Sequence, residues 1–157
     1  MSRTVYEGNN KVWYVPTIAS KSAPTMVELA AGKDFTPYVT KDGIAVPNGQ
    51  NMVDSATIND IYDAQEPGSW GGGPLTLTMF RDDTDETNSY DFITYGLRGY
   101  LVIGRFGTIG IADKVEVWPV AAHQPTLMQS AANEMQKFTA AWAVTGQPTM
   151  NAVMVGS

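Results

Sequence analysis

The chain has 157 residues, no cysteine, one histidine and a formal net charge of −6. The missing cysteines remove disulfides, thiolate metal sites and thiol nucleophiles together, and a lone histidine leaves zinc without its usual ligands. An acidic balance argues against tight nucleic-acid binding, which draws its affinity from Lys and Arg neutralising phosphates.

In chain order, Lys11–Ile18 (KVWYVPTI) is aromatic and β-branched, the composition of a strand. Pro16 gives no ladder N–H and predicts an edge or an irregularity there. SAPTMVELAAG then reads as one or two helical turns, with Pro24 near the start, Gly32 as the C′ residue and Val27, Ala30 and Ala31 as an apolar stripe. Phe35–Val46 is predicted extended around an Asp42-Gly43 turn, and PNGQ at Pro47–Gln50 makes a second turn. Met52–Tyr62 alternates as a strand, with Met52, Ala56, Ile58 and Tyr62 sharing one face with Asp54 and Asp60 and Val53, Ser55, Thr57, Asn59 and Ile61 on the other, so that neither side is clean and both read as partly covered. Glu66–Pro74 (EPGSWGGGP) reads as the strongest loop. Leu75–Phe80 (LTLTMF) alternates cleanly and is predicted as a strand.

The polar stretch Arg81–Ser89 can start a helix, with Asp83 as N-cap and Glu86 at the third position. That helix is predicted to run to about Leu97, with Tyr90, Ile93 and Leu97 facing inward; a strand over Tyr90–Tyr95 is the competitor. Tyr100–Phe106 and Lys114–Val120 read as strands. Glu134–Thr145 fits either type by pattern, and Met150–Val155 is a short last strand. Six to eight strands with one longer flanking helix predict a mainly β fold of two packed sheets, a sandwich or barrel, in a single domain over residues 1–157.

Charged residues make up 17% of the chain, below the ~25% usual for soluble domains. Either this is an ordinary β domain of modest polarity, or partners cover much of its surface, since interfaces shed charge and gain aromatics and Met. Ten of the 16 acids fall between Asp42 and Asp91, against Arg81 alone among the bases. The start MSRTVYEGNNKVWYV has no apolar core of signal-peptide length, and no run approaches the ~20 apolar residues of a membrane span. The expectation is a soluble protein.

No catalytic constellation emerges. His123 sits beside Pro125 in a predicted loop, with no G-x-S-x-G serine to serve. Asp82, Asp83, Asp85 and Glu86 supply oxygens but not the EF-hand spacing, because Asn88 stands where its glycine belongs. Gly71-Gly72-Gly73 lacks the Gly-Lys-Ser/Thr of a phosphate loop; a flexible loop carrying Trp70 as an anchor into a neighbour fits better. No enzyme, cofactor or metal is expected.

Read in order, KVWYVPTIASKSAPTMVEL, DFTPYVTKDGI, a strand ending in FRDD, YGLRGYLVIGR, KVEVWPV and ANEMQKFTAAWAVTG resemble the tail tube (major tail) proteins of siphophages, particularly those of phages infecting actinobacteria. The resemblance implies a β-sandwich flanked by a helix, with a long loop at about Thr40–Pro74 and mobile terminal arms. It implies hexameric rings that stack into a tube with an acidic lumen for DNA ejection, a conduit that DNA passes without tight binding. It places the chain in the virion tail, assembled in the host cytoplasm, with copies of itself, tape measure and tail terminator or tip proteins as partners. Asp54, Asp60, Glu116 and Glu134, in predicted strands, are the candidate lumen acids. Trp70, Gly71, Gly72 and Gly73 are the candidate ring-stacking loop. The rivals are a tail terminator, head–tail joining or decoration protein, a monomeric carbohydrate- or peptide-binding module using Trp13, Trp70, Trp118 and Trp142, and an unrecognised hydrolase.

Overall fold

The computed structural model describes residues 5, 8–47, 49–71, 73–81, 89–107, 109–129 and 131–156. The molecule is mainly β. Its first strand, β1 (Lys11–Val15), stops one residue before Pro16, and the proline therefore removes no ladder bond. A short helix α1 (Met26–Ala30) follows, then a two-residue strand β2 (Lys33–Asp34) and β3 (Val39–Ala45). The Thr25 hydroxyl accepts the Glu28 N–H, and the Glu28 carboxylate reaches back to the Thr25 N–H, a reciprocal cap that starts the helix. Its buried residue is Leu29 rather than the expected stripe, and Val27 points into solvent. Met26, three residues before Leu29 on the same face, packs partly buried against the same apolar cluster.

Asp42-Gly43 makes no hairpin. Both residues lie inside β3, whose register slips between Val39 and Ile44, as a β-bulge does. A Cβ on Gly43 would stand 2.4 Å from the Thr78 carbonyl oxygen, so glycine here permits close strand contact and not a reversal. The chain then forms β4 (Gln50–Asp54) and β5 (Gln65–Trp70), an antiparallel ribbon and a sheet of its own. This corrects two readings: the Met52–Tyr62 strand ends at Asp54, and much of the Glu66–Pro74 loop is strand. Pro67 and Gly68 are tolerated because a two-stranded ribbon consists only of edges.

β6 (Leu75–Phe80) buries Leu75, Leu77 and Met79 on one face, as its alternation predicts. The helix does not reach Leu97. Among the described residues α2 covers Ser89–Phe92, and the proposed start at Asp83 and Glu86 lies outside them. Gly96, at φ +83°, turns the chain, and its N–H donates to the Ala122 carbonyl, so the sheet takes a backbone group that a longer helix would have used. Ile93 is nonetheless buried, with Tyr90 and Leu97 packed beside it.

β7 (Arg98–Gly104), β8 (Lys114–Ala122), β9 (Thr126–Leu127), β10 (Lys137–Val144) and β11 (Thr149–Val153) complete the chain, giving eleven strand segments among the described residues. The main sheet runs β2-β1-β7-β8-β10-β6-β3, with β11 also on β8 and β9 on β10. Pro119 sits inside β8 where the neighbour changes: β11 pairs below it at Val117 and β10 pairs above it at Val120. The missing N–H thus falls in a gap of the ladder.

The sheet is strongly curved. β7 and β8 separate β1 from β10, about 14 Å at the usual strand spacing. Yet the Tyr14 and Trp142 rings stack at 6.0 Å, so the two halves bend toward each other around a shared interior. Phe35, Leu77, Leu101, Trp118 and Phe138 fill that barrel-like core. The outer face of β1, β7 and β8 carries a second cluster, where Val102, Val115 and Val117 are covered by Leu29 of α1 and by Ala152 and Met154.

Candidate assembly surface

Among the described residues the β4–β5 ribbon is an extended segment that the rest of the fold leaves uncovered. Every residue of β4 is exposed, and so are Trp70, Met52 and Val53. At the tip Ile58 and Ile61 are completely exposed, and Tyr62 is 82% exposed. An isolated two-stranded ribbon is marginal in water, and contiguous exposed apolar residues mark interaction surfaces. The tip is nevertheless locally ordered. Asp60 accepts the Thr57 N–H at 2.6 Å and the Thr57 hydroxyl at 3.0 Å, and these bonds hold its carboxyl below the usual range. Asp54 accepts the Ala56 N–H, and the Ser55 N–H donates to the Ala64 carbonyl.

Of the four candidate lumen acids, Asp54 ends β4 and Asp60 stands in the tip turn, outside any strand. Glu116 is in β8, and Arg105 grips it through two contacts of 3.2 and 3.1 Å. Glu134 precedes β10 in an exposed turn and accepts the Ala131 N–H, which corrects its strand placement. The structure thus brings Asp54 and Asp60 onto one ribbon and leaves the other two elsewhere. In the stacking-loop set, Trp70 ends β5, the Gly71 N–H donates to the Gly49 carbonyl, and Gly73 is exposed. Gly72 lies outside the described residues.

The four tryptophans share no single surface. Trp142 is fully buried, Trp118 is 2% exposed and lines one concavity together with Trp70, and Trp13 lines another. His123 is exposed on the stretch after β8, with Tyr95 as its ring neighbour at 6.4 Å. Among the described residues no three of His, Asp and Glu cluster as metal ligands, and no helix is long and apolar enough to cross a membrane. The acids of 82–86 lie outside the described residues. The exposed apolar tip carries no distinct sequence signal, because the alternation of Met52–Tyr62 fits a strand throughout.

The geometry is that of a curved β scaffold that projects an exposed, apolar and acid-bearing ribbon. The family model for "Phage tail tube protein" matches residues 1–157, and the chain belongs to that family. It is a structural component of a phage tail, as the resemblance implied. Among solved structures, a chain in a cryo-EM structure of the anti-feeding prophage baseplate, 6-fold symmetrised, is similar in fold: TM-score 0.59, 10% identity, 95% of this chain and 97% of that chain covered. No curated protein matches the sequence.

Proposed function

We propose that this chain assembles into six-membered rings that stack into the tail tube of a siphophage, an acidic conduit for DNA ejection. The observation that carries the reading is the β4–β5 ribbon, whose apolar residues the described fold leaves exposed and a neighbouring copy would cover. Membership of the tube family supplies the tube, and the six-fold symmetry of the similar baseplate structure supports the ring number. A net charge of −6 supports a lumen that repels DNA phosphates. In this reading the chain is one tube-forming domain over residues 1–157, residues 40–74 reach the next ring with Trp70 and Gly71–Gly73 at the base of the contact, and the termini act as arms. Tape measure, terminator and tip proteins are the other tail partners, met in the host cytoplasm during assembly. Asp54, Asp60 and Glu134 remain candidate lumen acids, and Glu116 contributes less because Arg105 offsets its charge.

Negative-stain electron microscopy of the purified protein over a concentration series, with light scattering alongside, tests this. Hollow tubes of uniform width with six-fold end views are expected. A monomer at every concentration would overturn the reading in favour of a binding module, and single rings that never stack would favour a terminator.

A further inference from the structure

We propose that the ribbon tip of one copy docks into a basic concavity between β1 and β3 of a neighbouring copy, an inference that rests on the tube reading above. The concavity has a volume of about 210 Å³. Val12, Val39 and Ile44 are its apolar lining, and Lys11, Lys41 and Thr36 line it as well, Lys11 being shared with a second concavity that Asp34 also lines. Among the described residues that line it none is acidic and none belongs to the ribbon. Neither lysine forms an ion pair among the described residues. Asp42, the next residue of β3, is exposed and is the nearest acid in sequence to Lys41.

The ribbon has the opposite pattern. From Gln50 to Gly71 it carries Asp54, Asp60, Asp63 and Glu66 and no base, with Ile58, Ile61 and Tyr62 exposed among them. An isoleucine or tyrosine side chain fits the apolar lining, and the flanking carboxylates then meet the two ammonium groups. Charge of matched sign fixes register and speeds encounter more than it adds affinity, while the apolar tip supplies the binding energy. The bonds between Thr57 and Asp60 pre-order the tip, which lowers the entropy lost on docking. A second copy is the occupant argued for because it brings apolar and acidic groups in one preformed segment.

The test is a charge exchange read by light scattering and electron microscopy. Lys11→Glu/Lys41→Glu should raise the concentration needed for assembly at least tenfold, with an unchanged melting curve. Adding Asp63→Lys to the same chain should restore most of the loss, because Asp63 has no bond to break among the described residues. A second route leaves both lysines in place: Ile58→Ser/Ile61→Ser, at fully exposed positions, should weaken assembly to a similar degree. Failure of the wild type to assemble at all would sink the tube reading together with this one. Wild-type tubes with undiminished assembly of the lysine variant would overturn the docking site alone. So would a lysine defect that Asp63→Lys does not rescue, since the pocket would then hold something other than the ribbon.

Discussion

Glu28 joins two segments at once: its carboxylate accepts the Thr25 N–H that begins α1 and, at 2.7 Å, the Ala19 N–H of the preceding loop. Slight burial raises its pKa, but the hydrogen bonds from Thr25 and Ala19 win and hold it below the usual value. A depressed carboxylate stabilises the fold above its unfolded pKa, and this contribution is lost as pH falls through the folded value. Melting curves from pH 7 down to pH 3 should therefore show a decline below about pH 4.5 that Glu28→Gln partly removes. At pH 7 the variant should lose about 1 kcal/mol, the usual worth of a cap. Gly43 gives a sharper case. Gly43→Ala places a methyl 2.4 Å from the Thr78 carbonyl, a backbone atom held by the strand pair, and 2.7 Å from the Thr40 hydroxyl. Overpacking of this kind costs about 1–3 kcal/mol, readable in urea denaturation as a lowered midpoint with unchanged slope. The same residue shows why sequence misleads here: Asp-Gly signals a hairpin locally, and only the approach of β6 reveals that the glycine is there for space.

At the scale of elements, legibility follows burial. β6, β7 and β8 are readable because their alternating apolar residues answer to a core on a definite side. β10 is ambiguous because Phe138 and Trp142 share a face at both strand and helix spacing, and the residue between them, Ala140, decides nothing by itself. The ribbon divides wrongly between strand and loop, since neither of its faces meets a core to impose a clean alternation. The capping box of α1 is carried by the spacing of Thr25 and Glu28, a signal that the Pro24 and Gly32 boundaries overshadow. An element folded for a partner should be removable without loss of the body. Replacing residues 55–64 by a two-residue Asn-Gly turn should leave the melting temperature of the monomer within about 2 °C, because surface changes of this kind cost ~0.5 kcal/mol. The same variant should form no tubes by electron microscopy. A large drop in melting temperature would instead mean that the ribbon stabilises its own domain. Trp142→Ala provides the contrast, with an expected loss of about 3–5 kcal/mol from the fully buried core.

At the scale of the whole molecule, assembly sets like charge against local complementarity. Each copy carries −6, so copies repel at long range, while the proposed contact pairs two lysines with the ribbon acids over a few ångströms. Salt separates the two effects. The screening length falls from about 30 Å at 0.01 M to about 10 Å at 0.1 M, which suppresses repulsion between whole subunits before it reaches a contact pair. Light scattering at fixed protein concentration should therefore rise from 0.01 M to about 0.1 M NaCl. Lys11→Glu/Lys41→Glu adds repulsion and deletes the pair, so it should need more salt than the wild type to reach the same scattering. Ile58→Ser/Ile61→Ser leaves the charges alone and deletes the apolar contact; it should scatter weakly at every salt concentration. If both variants shifted in parallel along the salt axis, the contact would be electrostatic throughout and the exposed isoleucines would have no part in it. If neither shifted, assembly would run through another face, and the β2 edge at the other end of the curved sheet would be the next surface to test.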